Sequence, residues 1–374
     1  MAALRTAIED RKSRWQISLL LDEQAVSGLG VVKKHMQIDS AVVKMGGIAG
    51  VWTDSNHRRK GYASQAMWES IALMERQNCD MSILFGIDDF YHRYGYAVVF
   101  ADQSMWLKTS QLLSLNGPLK ARRGRRADHE AMRRLYRNYN AARSGMDARQ
   151  KNWKPRWYMP NLGKDTVRRA GKFLVVYDAR DRVRGYAVYD IQAERTVVTE
   201  VCGKDREALA SVGKTIARRA KRAGAEEVLF HLPCDDPFIS LCIPLGCTCL
   251  IAYPFNQSAM GRIIHLNRLM KKLLPVFQKR WAHSELNWTG EFAIDTDIGR
   301  VGFEISESDI VMADVGGRAR VSMPQMALTQ LVMGYRQVVD IAYNDGIKIS
   351  RQLLPVLDIL FPKGNPYMWW TDRF

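Results

Sequence analysis

The stretch from Met45 to Ser64, M-G-G-I-A-G-V-W-T-D-S-N-H-R-R-K-G-Y-A-S, carries the residue types and spacing most suited to chemistry. Ala41 to Thr53 is apolar and β-branched enough for a strand, and Thr53, Asp54, Ser55 and Asn56 supply turn chemistry. From Tyr62 onward, Ala63, Met67, Ile71 and Met74 recur at helical spacing. The first N–H groups of a helix have no intrahelical acceptor, so the backbone from Arg59 to Ser64 would face an anion such as a diphosphate. Gly61 and Ala63 leave room for phosphates near the backbone, and Arg58, Arg59 and Lys60 add fixed positive charge. The alternative is a basic, solvated helix start. A P-loop is excluded by the lack of G-K-[ST], and no G-x-G-x-x-G follows a strand.

These residues must be held by a chain large enough for two or three domains. It has 374 residues, 47% of them hydrophobic and 25% charged, which is ordinary for globular protein. Met1 to Lys12 has no apolar core of a leader, and no apolar run is long enough to span a bilayer, so a cytoplasmic location is the expectation. Cys79, Cys202, Cys234, Cys242, Cys247 and Cys249 read as reduced thiols, with no zinc spacing and no metal expected. The net charge of +16 is concentrated in Lys120–Arg137 and Lys214–Arg222. It suits a polyanionic partner, and nucleic acid is the disfavoured rival because no helix-turn-helix, zinc-finger or RNP signature accompanies it.

Arg58-Arg59-Lys60-Gly61-Tyr62-Ala63 resembles the R/Q-x-x-G-x-G/A signature of the GCN5-related N-acetyltransferases, placed as in that family after the central strand. Ile87-Asp88-Asp89-Phe90-Tyr91-His92-Arg93-Tyr94-Gly95-Tyr96 is similar to the family's element after the fifth strand. Acetyl transfer to an amine expels a thiolate, and a tyrosine with a pKa of about 10 can protonate it. Tyr91 is the candidate acid, whereas Tyr94 and Tyr96 read as packed aromatics. The family fold begins with a strand and two helices, for which only Met1–Ser13 is available. Either an upstream in-frame start encodes that unit, or the substrate-covering helices are absent, leaving the hairpin from Trp15 with an exposed edge.

The order of elements repeats after Asn116-Gly117-Pro118, with a hairpin from Phe173 to Asp190, a strand Arg195–Val201, a helix Asp205–Arg222 and a strand Glu227–Leu232. Val201-Cys202-Gly203-Lys204-Asp205-Arg206 replaces the loop, so this second unit is expected to bind no cofactor. From about Gly261, a helix Arg262–Arg280, four short strands and two further helices resemble the sterol-carrier-protein fold. The expected fold is α/β, with two tandem acetyltransferase-like units at 1–117 and 118–261 and a sterol-carrier-like unit at 262–374.

That architecture is similar to the enhanced intracellular survival (Eis) acetyltransferases of bacteria. The resemblance implies acetyl-CoA along Val51, Trp52 and Thr53, the loop Arg58–Ser64, and Gly86 with Ile87. It implies an amine acceptor, a homo-oligomer (a hexamer in that family), Tyr91 as proton donor, and the carboxylate of the terminal Phe374 as proton acceptor. Without the resemblance, Trp369-Trp370-Thr371-Asp372-Arg373-Phe374 could equally be an aromatic tail packing on its own domain. Arg373 stands where a carboxylate helps that family bind polycationic aminoglycosides, so such acceptors should be repelled. A lipid-binding protein on an acetyltransferase scaffold is the other reading. Gly61→Glu should abolish acetyl-CoA binding in calorimetric titration while leaving the protein folded, and wild-type affinity would show that the loop is not the cofactor site.

Overall fold

The computed structural model describes residues 4–151, 153, 172–192, 194–316 and 319–374. The first sheet is built from β1 (Leu4–Arg11), β2 (Arg14–Leu21), β3 (Gln24–Ile38) and β4 (Ala41–Thr53), four antiparallel neighbours in succession. A crossover through α1 (Tyr62–Arg76) brings β5 (Met81–Gly86) parallel to β4, and β6 (Ala97–Val98) lies at the far edge. β1 corrects the expectation for the N-terminal segment. It pairs along its whole length with β2, from Leu4–Leu21 to Arg11–Arg14, and covers the edge expected to be open. Its Glu9, Asp10 and Arg11 hide the strand from a hydrophobicity reading, because an edge strand tolerates charge. Only Lys12 and Ser13 join β1 to β2, so no helix lies between these two strands.

The second sheet contains β7 (Asp102–Lys108), followed in the chain by α2 (Thr109–Leu113), β8 (Lys120–Arg123), α3 (His129–Tyr139), β9 (Lys172–Tyr177), β10 (Val183–Ile191) and β11 (Arg195–Gly203). Then come α4 (Arg206–Arg222), β12 (Glu227–Phe230), α5 (Pro237–Cys242) and β13 (Thr248–Ala252), in the sheet order β13-β7-β12-β11-β10-β9-β8. The chain then returns: β14 (Ser258–Ile263) inserts between β5 and β6 of the first sheet. Sheet membership therefore crosses the sequence boundaries at 117 and 261. Arg262 and Ile263, expected to begin a helix, belong to β14, whose burial on both faces leaves no period to read.

The helix after it, α6 (Leu266–Ala282), starts at His265, whose ring accepts from the Arg268 N–H at 3.2 Å. It packs on the first sheet opposite α1 and shares a core with the third sheet. That sheet comprises β15 (Gly290–Thr296), β16 (Gly299–Ile305), β17 (Ile310–Met312), β18 (Ala319–Ser322) and β19 (Lys348–Ile349), flanked by α7 (Gln325–Met333), α8 (Val338–Ile341) and α9 (Leu354–Leu360). Among the described residues no helix is long and apolar enough to cross a membrane.

After α9 the chain end crosses the second sheet. β11 and β12 run parallel from Arg195–Glu227 to Val198–Phe230 and then part. Beyond that point Glu200, Arg149 and Asp372 form a buried cluster. The Arg149 fork meets Glu200 through both oxygens at 2.7 Å, and it also donates to Asp372 at 2.8 and 3.2 Å. Tyr186 donates to Glu200 at 2.5 Å, Thr371 donates to Glu200, and Tyr136 donates to Asp372 at 3.0 Å. The guanidinium stacks on Tyr136 at 3.5 Å and Trp153 at 4.4 Å. One cation shared by two buried carboxylates leaves excess negative charge, and burial pushes the Asp372 carboxyl up to about 6. Arg149→Met would strand two acids in the interior, at a cost of about 3–5 kcal/mol. Hydrogen exchange should then show residues 369–374 losing protection while β1 to β5 keep theirs; unchanged protection of the tail would refute the anchoring role.

Candidate active site

The loop after β4 is shaped by local chemistry. The Asp54 carboxylate accepts from the Asn56 N–H at 3.0 Å and from His57 Nδ1 at 3.1 Å, and Arg59 takes a left-handed φ of 61°. Gly61 follows at φ 80° as the residue before α1, with no side chain capping the helix. A Cβ on Gly61 would meet nothing within 4 Å, so the uncapped helix start opens outward. Arg58, Arg59 and Lys60 are exposed and make no ion pair among the described residues. An uncapped helix terminus ringed by free cations fits an anionic group of pyrophosphate type. The φ of Gly61 also separates two effects of substitution: asparagine tolerates this conformation, so Gly61→Asn tests backbone strain and Gly61→Glu tests charge.

The second domain uses the same helix differently. Asp205 precedes α4, its carboxylate accepts from the Ala208 N–H at 2.9 Å, and it pairs with Arg184. A protein carboxylate thus already sits at the terminus where the first domain presents open N–H groups.

β4 and β5 pair only from Met45–Met81 to Ile48–Leu84, then diverge. On its other side β4 carries a bulge opposite Gly28–Gly30, with Gly50 at φ 59°. Bulges re-aim the backbone where a strand leaves its ladder. Val51 is half-buried and Trp52 is 41% exposed, while Thr53 is fixed by the Ser27 hydroxyl at 2.9 Å. On β5, Gly86 closes one side of this wedge and Ile87 extends into solvent. At the helix, Tyr62 and Ala63 are half-buried, and Ser64 Oγ lies 2.7 Å from the Tyr94 hydroxyl, which donates to it.

Tyr91 packs against Gly86 so closely that a Cβ there would lie 2.3 Å from its ring. Its ring is edged by Phe90 at 4.9 Å and Tyr96 at 6.5 Å, and its hydroxyl has no protein partner among the described residues. Burial, with Tyr94 adding to it, raises the Tyr91 pKa, so the hydroxyl keeps its proton at neutral pH. Tyr94 and Tyr96 have their hydroxyls engaged by Ser64 and Ser82, as packed aromatics should.

Phe374 lands on the other face of the same strands. A Cβ on Gly47 would stand 2.4 Å from its ring, and Phe85 meets it edge-on at 5.6 Å. Strand neighbours point to opposite faces, so Phe85 and Gly86 hold Phe374 and Tyr91 on opposite sides of β5 where the wedge opens. Lys34 lies 5.8 Å from the Phe374 ring and pairs with Asp147, whose carboxylate also accepts from the Arg149 N–H at 2.8 Å. Sequence reasoning missed Gly47, Lys34, Phe85, Arg149, Glu200 and His231. Of these, only the paired glycines Gly46-Gly47 in a strand signalled close approach.

His231 holds the tail through a 4.5 Å ring contact with Trp370, and burial beside Arg373 pushes its imidazole down to about 4. Between pH about 6.5 and 4 the unfolded chain binds a proton that the folded chain refuses, so this contribution is present at neutral pH and is lost on acidification. Asp372 has the opposite sign, since its raised pKa makes its contribution fall as pH rises toward 6. His231→Gln should therefore gain on the wild type as pH falls from 6.5 to 4, by up to about 3 kcal/mol, in denaturation at matched pH. A stability difference that does not change with pH would refute this account of His231.

Residues 5–99 match the profile of an acetyltransferase (GNAT) domain, and residues 145–244 match that of a second one. Among curated proteins no match is found. Of solved structures, a conserved protein of unknown function from Enterococcus faecalis V583 shares 18% identity at a TM-score of 0.79, over 97% of this chain and 90% of its own. A GCN5-related N-acetyltransferase from Kribbella flavida shares 16% identity at 0.71, over 96% and 87%. Eis1 from Mycobacterium abscessus shares 14% identity at 0.66, over 98% and 92%. At these identities the likeness is one of fold.

Proposed function

We propose that this chain, an acyltransferase built on two GNAT domains, moves the acetyl group of acetyl-CoA directly to a primary amine at the wedge between β4 and β5. The observation that carries the reading is the placement of Tyr91 and Phe374 on opposite faces of β5, at the point where it leaves β4. Direct transfer is served by that geometry: the amine adds to the thioester carbonyl from the side of the base, and the tetrahedral intermediate expels the thiolate toward the acid.

Acetyl-CoA supplies the thioester. Val51, Trp52 and Thr53 line one side of its site, with Gly86 and Ile87 on the other, and the N–H groups at the start of α1 with Arg58, Arg59 and Lys60 take the diphosphate. The Val51 N–H stabilises the developing negative charge on the carbonyl oxygen. The Phe374 carboxylate accepts the proton of the incoming amine, and the Tyr91 hydroxyl donates its proton to the departing sulfur. The second domain, with Asp205 at its helix start, serves as the socket for the tail rather than as a second catalytic site.

The third unit is read as sterol-carrier-like, on its mixed five-stranded sheet with helices, and its part in the reaction is to carry the chain end across to the first domain. All six cysteines are free, which supports a reducing, cytoplasmic setting. A homo-oligomer, hexameric by resemblance, is the assembly that goes with this reading.

One residue added after Phe374 should slow transfer on the order of a hundredfold, since displacing a catalytic group by about an ångström has that effect. Tyr91→Phe should lower turnover by a similar order. Both variants should keep acetyl-CoA affinity, because that site lies at Val51–Ser64. Thiol release across an amine panel, with calorimetry for the cofactor, measures each. An extended chain as fast as wild type at every pH would remove the carboxylate from the mechanism.

A further inference from the structure

Among the described residues, the cations around the tail are matched with the exception of Arg373. Lys34 pairs with Asp147, Arg149 with Glu200 and Asp372, and Arg143 with Asp235. Arg373 is stacked between Trp370 at 4.3 Å and Phe85 at 4.8 Å, and its Nε donates to the Met368 carbonyl at 3.3 Å. Its two terminal nitrogens have no hydrogen bond or ion pair among the described residues. Burial lowers the pKa of this guanidinium, and Tyr367 and Asp102 oppose that without forming an ion pair with it. A partly desolvated cation with an idle planar fork is costly unless something anionic comes to it. The two aromatic rings restrict the guanidinium, and this pre-organises its fork for bidentate contact with a carboxylate.

Its location tells what that anion belongs to. Phe85 carries Arg373 against its ring and Phe374 edge-on, so the fork lies on the same face of β5 as the Phe374 ring, one residue from the chain's terminal carboxylate. Consecutive residues at the chain end therefore present opposite charges to whatever enters from that face. We infer that the acceptor is a zwitterionic amine of the amino-acid class, whose amino group meets the Phe374 carboxylate while its own carboxylate is bound by Arg373. This rests on the acetyl-transfer reading for the identity of the reacting group, but the carboxylate site itself does not. Polycations lacking a carboxylate would meet the fork as repulsion, and simple amines would leave it unused.

Matched acceptors differing only in the carboxylate test this: phenylalanine against phenethylamine, and lysine against cadaverine, with kcat/KM taken from thiol release. The acid of each pair should be preferred on the order of ten- to a hundredfold, the range of a charge-assisted pair. Arg373→Met, which keeps the packing between Trp370 and Phe85, should bring the ratio near one, and Arg373→Lys should restore part of it. An equal ratio in wild type, or a ratio that survives Arg373→Met, overturns the inference. Calorimetry with N-acetylphenylalanine and N-acetylphenethylamine reads the same site without turnover. Acid-selective binding lost in Arg373→Met, with no thiol release from any amine, would leave the carboxylate site standing and sink the acetyl-transfer reading alone. Binding with no acid preference would sink the site.

Discussion

The buried contact of Arg149 with Glu200 and Asp372 is the constraint on which the candidate site depends. Each of the three groups would be expensive alone in the interior, and together, with Tyr136, Tyr186 and Thr371 completing their hydrogen bonds, they are tolerable. A nonpolar cluster of the same volume could be as stable. It would lack register, because apolar side chains can slide past one another, whereas a fork with two carboxylates has one geometry. That geometry fixes Asp372, two residues from the end, and leaves the last two residues only one short reach, toward Phe85 and Gly47.

The chain uses one fold for two purposes. In both domains two parallel strands pair briefly and then part, making a wedge lined by backbone. In the first, the strands beside the wedge carry glycines, Gly47 and Gly86, so rings can press against the backbone from either side, and the following helix starts uncapped at Gly61. In the second, Glu200 enters the wedge region, the tail fills it, and Asp205 caps the helix. Small changes in side chain thus separate a helix start left open to an anion from one already occupied by a protein carboxylate. The exchange of strands between the domains, β7 outward and β14 back, ties the two wedges into one body, so the tail anchored at one is positioned at the other.

The loop from Met45 to Ser64 was legible in the sequence because its determinants are local: a strand, a turn with Asp54 and a glycine before a helix act on neighbours within a few residues. The packed roles of Tyr94 and Tyr96, and the lack of an open helix start after β11, were readable for the same reason. The first strand was hidden by its edge position, and β14 by being buried on both faces. Each lacks the alternation that would announce it.

What the sequence by itself determined is the order of elements apart from β1 and β14, the two GNAT repeats and the uncapped, glycine-led start of α1, all set by backbone chemistry and hydrophobic period. What only the tertiary structure decided is which residues share the wedge. Arg149 and Glu200 lie 51 positions apart and Arg149 and Asp372 223 apart, and Arg149 is one arginine among many in a basic chain. The pairing comes from which carboxylates the closed fold leaves with no water to turn to. Solvation is a property of the folded interior, and no local pattern encodes it.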